Sequence, residues 1–339
     1  GGPYYNTPCA DGEDVMYQSD DKYYTHVVTD DAIEFLDQAS GKDQPFYLSV
    51  HYTAPHSPWD RNNHPAETWD YYYNNCPFES APWGLPKPEW AQKFNIPVET
   101  DERRREFLSG YYAAIEELDA GVGRIIDKLI AIGELENTLI CFTSDNGMNM
   151  GHHGVFGKGN ATFPMNMFEE SVKVPFIASL PGMVPQGVES ESMLSHYDLM
   201  PTLLEFVGLE APKDEKLPGH SFAPLLKGDD FSGQESVVIF DEYGPVRMIR
   251  TADWKYVHRY VYGPHELYDL KNDPGETVNL YGREEYAMTA AGLVAKLDAW
   301  FVKYGDPERD GARQPVTGVG QFGRIPFDGS RETAFNPRA

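Results

Sequence analysis

The sequence predicts an α/β protein: a large domain with a mixed or mainly parallel sheet between helices, then, from about residue 236, a small α+β subdomain with an antiparallel sheet. Two observations carry this. Between Thr100 and Asp145 a long amphipathic segment, a short turn and the apolar run Leu139-Ile140-Cys141-Phe142 follow one another. That is half of a βαβ crossover, and so implies parallel strands. From Ser236 the pattern changes to short apolar segments at close spacing, separated by turn residues, for which antiparallel pairing is the simpler topology.

Residues Gly1 to Asp20 are polar, turn-rich and without periodicity. Tyr23 to Gln38 reads as a helix with Val27, Val28, Ile33, Phe35 and Leu36 on its apolar face. Pro45 to Tyr52 reads as a strand that runs into Thr53-Ala54-Pro55-His56-Ser57-Pro58, where prolines keep the backbone out of helix and ladder. Asp60 to Val98 reads as a long ordered loop. Its neighbourhood holds Trp59, Trp69, Tyr71, Tyr72, Trp83 and Trp90, which suit either packing or stacking on sugar rings. Thr100-Asp101-Glu102 supplies a cap and acidic residues for the positive end of a helix. Phe107, Tyr111, Ile115, Leu118, Val122, Ile125 and Leu129 then form one stripe for packing on a sheet. Gly133 stops this helix. Val174 to Ser179 reads as a strand and Leu199 to Val207 as a short helix. Four short strands follow, around Val237, Val246, Trp254 and Glu266, then a helix from about Glu284 to Tyr304 with Leu293, Leu297 and Trp300 on one side. The expected divisions are 1–235, 236–305 and an extended tail, 306–339.

With 339 residues, 41% hydrophobic and 13% aromatic, the chain can bury a large core and is far from the composition of disorder. No apolar run approaches the ~20 residues of a membrane span. A net charge of −25 argues against nucleic acid as a partner, since phosphates are repelled. Three cysteines are too few for a disulfide scaffold. Cys141 falls in the core strand, which leaves Cys9 and Cys76 as the only candidate pair.

The most informative stretch is Thr143-Ser144-Asp145-Asn146-Gly147, followed by Gly154-Val155-Phe156-Gly157-Lys158. It places a carboxylate beside a carboxamide where a strand ends, the edge at which open α/β sheets bind ligands. Adjacent oxygens of Asp145 and Asn146 suit a hard cation, Ca²⁺ or Mg²⁺. Lys158 then suits an anion held against that cation. Asp-Asn-Gly is also a common turn. His56 projects from a rigid loop, where an ordinary surface histidine is the alternative. His51 reads as a core histidine with its hydrogen bonds satisfied.

Taken together, Phe46 to Pro58, Tyr111 to Lys158, Val174-Pro175-Phe176, Asp198-Leu199-Met200-Pro201-Thr202 and Glu266-Leu267-Tyr268-Asp269-Leu270 with Asp273-Pro274-Gly275-Glu276 resemble the sulfatase family of the alkaline phosphatase superfamily. They occur in family order from about Tyr23 to Tyr281. The resemblance implies an alkaline-phosphatase-like sandwich, with Asp145 and Asn146 as ligands of Ca²⁺ (or Mg²⁺). Asparagine at 146 points to the sulfatase branch, since related phosphatases tend to carry histidine there. Lys158 matches the lysine that contacts the sulfate, and His56 the histidine near the leaving-group oxygen. His153 matches a position that lines the substrate mouth or stabilises its loop. Arg247 and Arg250 lie where the family's small sheet closes over the cleft, and either suits a carboxylate or second sulfate.

The family's nucleophile is a formylglycine made from Cys or Ser in a Cys-x-Pro/Ala-x-Arg setting, and none of the three cysteines fits it. The early Asp-Asp metal pair and the Gly-Lys-Trp-His segment are absent too, and Gly1-Gly2-Pro3-Tyr4-Tyr5 resembles the stretch just C-terminal to that segment. The chain therefore reads as the C-terminal two-thirds of a sulfatase, completed by an N-terminal segment or another chain. The expected substrate is a sulfated small molecule or glycan, in a periplasmic or secreted setting. The alternatives are a phosphodiester or phosphonate monoester hydrolase of the superfamily, and a non-catalytic scaffold. Residues 1–339 alone are expected to bind Ca²⁺ weakly, to hydrolyse aryl sulfates negligibly and to aggregate.

Overall fold

A computed structural model describes residues 2–11, 15–19, 21–91, 93, 94, 96, 98–241, 246–260, 263–308 and 310. In chain order the elements are β1 (Pro8–Asp11), β2 (Val15–Gln18), α1 (Tyr24–Ala39), α2 (Ala66–Asn75), β3 (Lys93–Phe94), α3 (Asp101–Ala131), β4 (Ile140–Thr143), β5 (Asn149–Met150), β6 (Phe156–Gly157), β7 (Thr162–Phe163), α4 (Glu169–Val172), β8 (Phe176–Ser179), α5 (Leu199–Phe206), α6 (Ala223–Leu226), β9 (Ser236–Phe240), β10 (Val246–Thr251), β11 (Trp254–Arg259), β12 (Glu266–Asp269) and α7 (Ala287–Tyr304). They fall into two compact units, Gly1–Trp83 with Pro97–Ile140 and Leu180–Gly182, and Gly84–Ile96 with Cys141–Ser179 and Met183–Ala339. The expected boundary at 235/236 lies inside the second unit. The expected tail lies outside the described residues except for 306–308 and 310.

In the first unit α3 begins where the sequence places it, with the Thr100 hydroxyl accepting from the Arg103 amide at 3.1 Å. It ends before Gly133, whose φ of 75° is the left-handed conformation that closes a helix. Among the described residues it packs chiefly on α1 and α2, where the sequence predicts a sheet. Phe107, Leu118 and Leu129 of the expected stripe are buried, while Ile115 is exposed. Close approach depends on Gly110, where a Cβ would lie 2.1 Å from the Trp59 carbonyl oxygen. Three further segments differ here from the sequence reading. The 1–20 segment contains the antiparallel pair β1–β2, four residues each and too short to announce itself by periodicity. Residues 45–52 join no ladder among the described residues, because strand structure needs a partner that local sequence does not supply. Within 60–98 the residues 66–75 are helical rather than loop.

In the second unit β4 and β8 lie side by side as a two-stranded sheet. The sequence predicts β4 to be a buried core strand, yet Cys141 is exposed; in β8 Ile177 is 60% exposed. The C-terminal sheet is antiparallel in the order β12-β11-β10-β9. Strand alternation divides its residues cleanly. Val238, Ile249, Tyr256 and Leu267 pack with Leu293 and Leu297 of α7. Val246, Met248 and Val257 face the other way, onto Met165, Met167 and Val172. This second face therefore supports the 165–172 segment that follows the Lys158 loop.

Candidate active site

β4 ends at Thr143, whose hydroxyl donates to the Pro175 carbonyl at 2.9 Å, tying the strand end to the entry of β8. Asp145 is exposed, and its Oδ1 accepts from the Asn146 amide at 2.8 Å. The Asn146 Nδ2 donates to the Gly147 carbonyl at 3.0 Å, which leaves the amide oxygen as its outward acceptor. Two adjacent oxygens are thus presented at the strand end. They fit a hard, oxygen-seeking cation as two members of a six- to eight-oxygen shell.

The chain then turns back. Asn149 pairs with Gly157 and Met150 with Phe156 in an antiparallel hairpin, so Lys158 leaves β6 beside the residues that follow the Asp145–Asn146 pair. The tip of this hairpin needs left-handed backbone at Gly151 (φ 107°), His153 (φ 55°) and Gly154 (φ 66°). At Gly154 a Cβ would also come within 2.6 Å of the Leu85 carbonyl oxygen. Lys158 is half-buried, and among the described residues no carboxylate pairs with its ammonium.

The polar residues beneath this hairpin were not singled out by sequence. Asn149 and Asn166 are almost wholly buried, and Ser171 nearly so. Asn149 Nδ2 donates to Ser171 Oγ at 2.7 Å and to the Gly157 carbonyl at 3.2 Å. Ser171 Oγ donates to Asn166 Oδ1 at 2.7 Å. Asn166 Nδ2 donates to the carbonyls of Lys158 and Gly159 at 3.2 and 3.1 Å. The signal available in the sequence was two asparagines each flanked by methionines, polar groups that burial obliges to find partners.

His153 stacks on Phe168, with ring centroids 3.6 Å apart, and its Nε2 lies 3.2 Å from Glu170 Oε2. Burial pushes the Glu170 carboxyl up, but the bond and charge of His153 outweigh it and hold the group below its ordinary value. Of the two roles open to His153, the loop-stabilising one is what these partners describe. His153, Glu170 and Glu276 bring ligand-type atoms within 4.8 Å of one another. Glu276 is already engaged on both oxygens, by Lys255 Nζ at 2.6 Å and the Glu169 amide at 2.7 Å. The cluster is therefore part of an ion-pair network rather than an open metal cradle.

Arg247 and Arg250 are three residues apart on β10 and so point to opposite faces. Arg247 is 4% exposed, is paired with Asp310, and lies 3.6 Å from the Phe301 ring centroid. Arg250 Nε donates to Glu169 Oε2 at 3.2 Å. Both have protein partners in place of the substrate anion expected of them. Asp198 is likewise structural, accepting from the amides of Ser195 and His220 at 2.8 Å each.

His56 belongs to the first unit. Its Nδ1 donates to the Ser57 carbonyl at 2.8 Å, which fixes the tautomer and leaves Nε2 as the acceptor edge of the ring. Its loop is held by Tyr4 Oη donating to the His56 carbonyl at 2.7 Å and Trp59 Nε1 donating to Pro55 at 2.9 Å. Trp59 and Trp69 are buried and serve packing, whereas Tyr71 and Trp83 remain exposed. His51 is exposed and bonded to Ser49, not a core residue. Cys9, Cys76 and Cys141 are all free thiols.

Comparison with known proteins bears on this arrangement. A model of the N-sulphoglucosamine sulphohydrolase C-terminal region matches residues 151–303. An N-acetylglucosamine-6-O-sulfatase of Bacteroides thetaiotaomicron is 27% identical over 91% of this chain, which spans 66% of that relative's length. A solved structure in complex with its substrate, D-glucosamine-2-N,6-O-disulfate, superimposes with a TM-score of 0.73 at 24% identity, covering 91% of this chain and 75% of that one. The phosphonate monoester hydrolase of Agrobacterium radiobacter gives 0.62 at 24% identity over 90% of this chain and 64% of its own. These likenesses establish the alkaline-phosphatase-like fold expected from the sequence. The general sulfatase model matches residues 2–209, more than half of the sequence, and the chain therefore belongs to the sulfatase family.

Proposed function

We propose that this chain is part of a Ca²⁺-dependent sulfatase that cleaves a sulfate ester on a carbohydrate, with a formylglycine nucleophile supplied from outside its residues. The observation that supports the reading is the β5–β6 hairpin, from which the half-buried Lys158, unpaired among the described residues, leaves beside the residues that follow Asp145 and Asn146. Asp145 and Asn146 would hold Ca²⁺, and Mg²⁺ in its absence; the ion supplies charge stabilisation on the sulfuryl oxygens. Lys158 donates to a sulfuryl oxygen as negative charge grows there. His56, with Nδ1 committed to Ser57, delivers a proton from Nε2 to the departing alkoxide. The sulfated-glycan class is supported by the names of the relatives and by the sulfated glucosamine in the similar structure.

The test is a panel of sulfate and phosphate esters, sulfated glucosamines among them, offered to the full-length protein containing this chain. Turnover of sulfate esters, lost on chelation, is expected. A preference for phosphate or phosphonate esters would overturn the reading in favour of that branch of the superfamily. No turnover of either, with Ca²⁺ present, would mark a non-catalytic scaffold.

A further inference from the structure

The catalytic reading leaves one cluster unused: three polar side chains, all nine-tenths or more buried, that touch neither the metal pair nor the Lys158 ammonium. We propose that Asn149, Asn166 and Ser171 are positioning residues that set where Lys158 stands relative to Asp145 and Asn146. This deepens the sulfatase reading and rests on it.

Asn149 and Asn166, linked through the Ser171 hydroxyl, hold three consecutive backbone carbonyls, those of Gly157, Lys158 and Gly159. The Lys158 and Gly159 carbonyls also accept from the backbone amides of Ala161 and Asn166 at 3.0 Å each, and the Asn166 side chain gives each a second donor, so the path of the loop is fixed on both sides of the lysine. The same cluster reaches the other half of the site. The Ser171 carbonyl accepts from the Gly147 amide at 3.0 Å, one residue beyond Asn146. Gly147 is needed for that approach, since a Cβ there would lie 2.1 Å from the Glu170 carbonyl oxygen. Ser171 thus bonds through its backbone to the metal-side strand end, and through its hydroxyl to the asparagine holding the lysine. A flexible four-carbon side chain is placed only as well as its Cα. Fixing that Cα against the paired oxygens is what would let the ammonium meet a sulfuryl oxygen without reorganisation.

A double-mutant cycle on the full-length protein tests this, using a sulfate ester with kcat and KM measured separately and folding checked by circular dichroism. Asn166→Ala should lower kcat/KM on the order of 10- to 100-fold, the scale of a roughly ångström misplacement, chiefly through kcat. In a Lys158→Ala background the same substitution should cost no more than about 3-fold, because the group it positions is gone. Should Asn166→Ala fail to fold, Ser171→Ala runs the same cycle, removing one hydroxyl and leaving the backbone link to Gly147. Effects that multiply independently of Lys158, or an Asn166→Ala protein within about 2-fold of wild type, would overturn the inference alone. A wild-type protein inactive on sulfate esters would overturn the sulfatase reading, and the positioning role with it.

Discussion

The Lys255 ammonium lies 2.6 Å from Glu276 Oε1 and 2.7 Å from Glu169 Oε1, with the lysine and Glu276 side chains 0% and 1% exposed. It also donates to the Met167 carbonyl at 2.9 Å. One cation thus sits between two carboxylates and a backbone oxygen, at the face of the sheet that supports the Lys158 loop. Removing it would leave Glu276 buried without a cation and Glu169 with Arg250 alone. Lys255→Met should destabilise by about 3–5 kcal/mol, the usual cost of breaking rather than replacing a buried pair. Adding Glu276→Gln should recover part of the loss, since glutamine can still accept from the Glu169 amide. Urea unfolding of the two variants checks this, and a Lys255→Met protein within about 1 kcal/mol of wild type contradicts it.

Lys158 has no such partner among the described residues, so its removal should separate activity from stability. Lys158→Ala should lower kcat by roughly 10²- to 10³-fold, as loss of a charge-stabilising donor does. The melting temperature should stay within a few degrees. Asp145→Ala should weaken Ca²⁺ binding measured by calorimetry, again with little change in melting. Equal loss of stability in both variants would mean that these residues hold the loop rather than the ligands.

Arg247 should behave in the opposite way. Its guanidinium is buried against Phe301 and paired with Asp310, so Arg247→Ala removes packing as well as charge. The expected result is a lower melting temperature with KM for a sulfated sugar unchanged. A large rise in KM without a stability change would restore the substrate-binding role that the sequence suggested.

Burial pushes the His258 imidazole down to about 4, with the neighbouring His265 and Arg247 acting in the same direction. Its ring lies 4.2 Å from that of His265, and its Nδ1 meets the Tyr256 hydroxyl at 2.8 Å. Between the unfolded value near 6.5 and about 4, the unfolded chain binds a proton that the folded chain refuses. Stability should therefore fall as pH is lowered through that window and be insensitive to this group above it. His64, His152 and His265 are also pushed down by burial and add to the slope, so the informative quantity is a difference. The drop in melting temperature between pH 7 and pH 5 should be smaller in His258→Gln than in wild type. Identical slopes would show that His258 takes up its proton in the folded state.

What the sequence made legible was local. The Thr100 cap, the stop at Gly133 and the change of period at Ser236 each depend on a few neighbouring residues, and each appears in the structure. The Asp145-Asn146 and Gly157-Lys158 strings were legible because glycine-bounded turns declare themselves. The strand expected at 45–52 did not form a ladder because pairing is not encoded in the strand itself. Arg247 and Arg250 were grouped by proximity in sequence, although the two-residue repeat of a strand already sends them to opposite faces. Asn149, Asn166 and Ser171 carried little signal, because their significance lies in a meeting of three segments that no local pattern announces. Lys255 and Glu276 are likewise distant in sequence and meet only in the fold.

The face of the C-terminal sheet turned towards 165–172 has a consequence for how this protein can change over evolution. Arg250, Lys255 and Arg259 all project from it, answering Glu169 and the Met167 and Met165 carbonyls. Glu276 answers Lys255 and the Glu169 amide, and Glu266 answers Arg259. The ion pairs that cross between the two segments are those of Glu169 with Arg250 and Lys255, so neither side of that trio tolerates replacement by itself. Residues 165–172 and 250–276 are therefore heritable as one block. A recombinant that takes the Lys158 loop from one sulfatase and the C-terminal sheet from another inherits unmatched buried charges, unless the crossover carries both segments together.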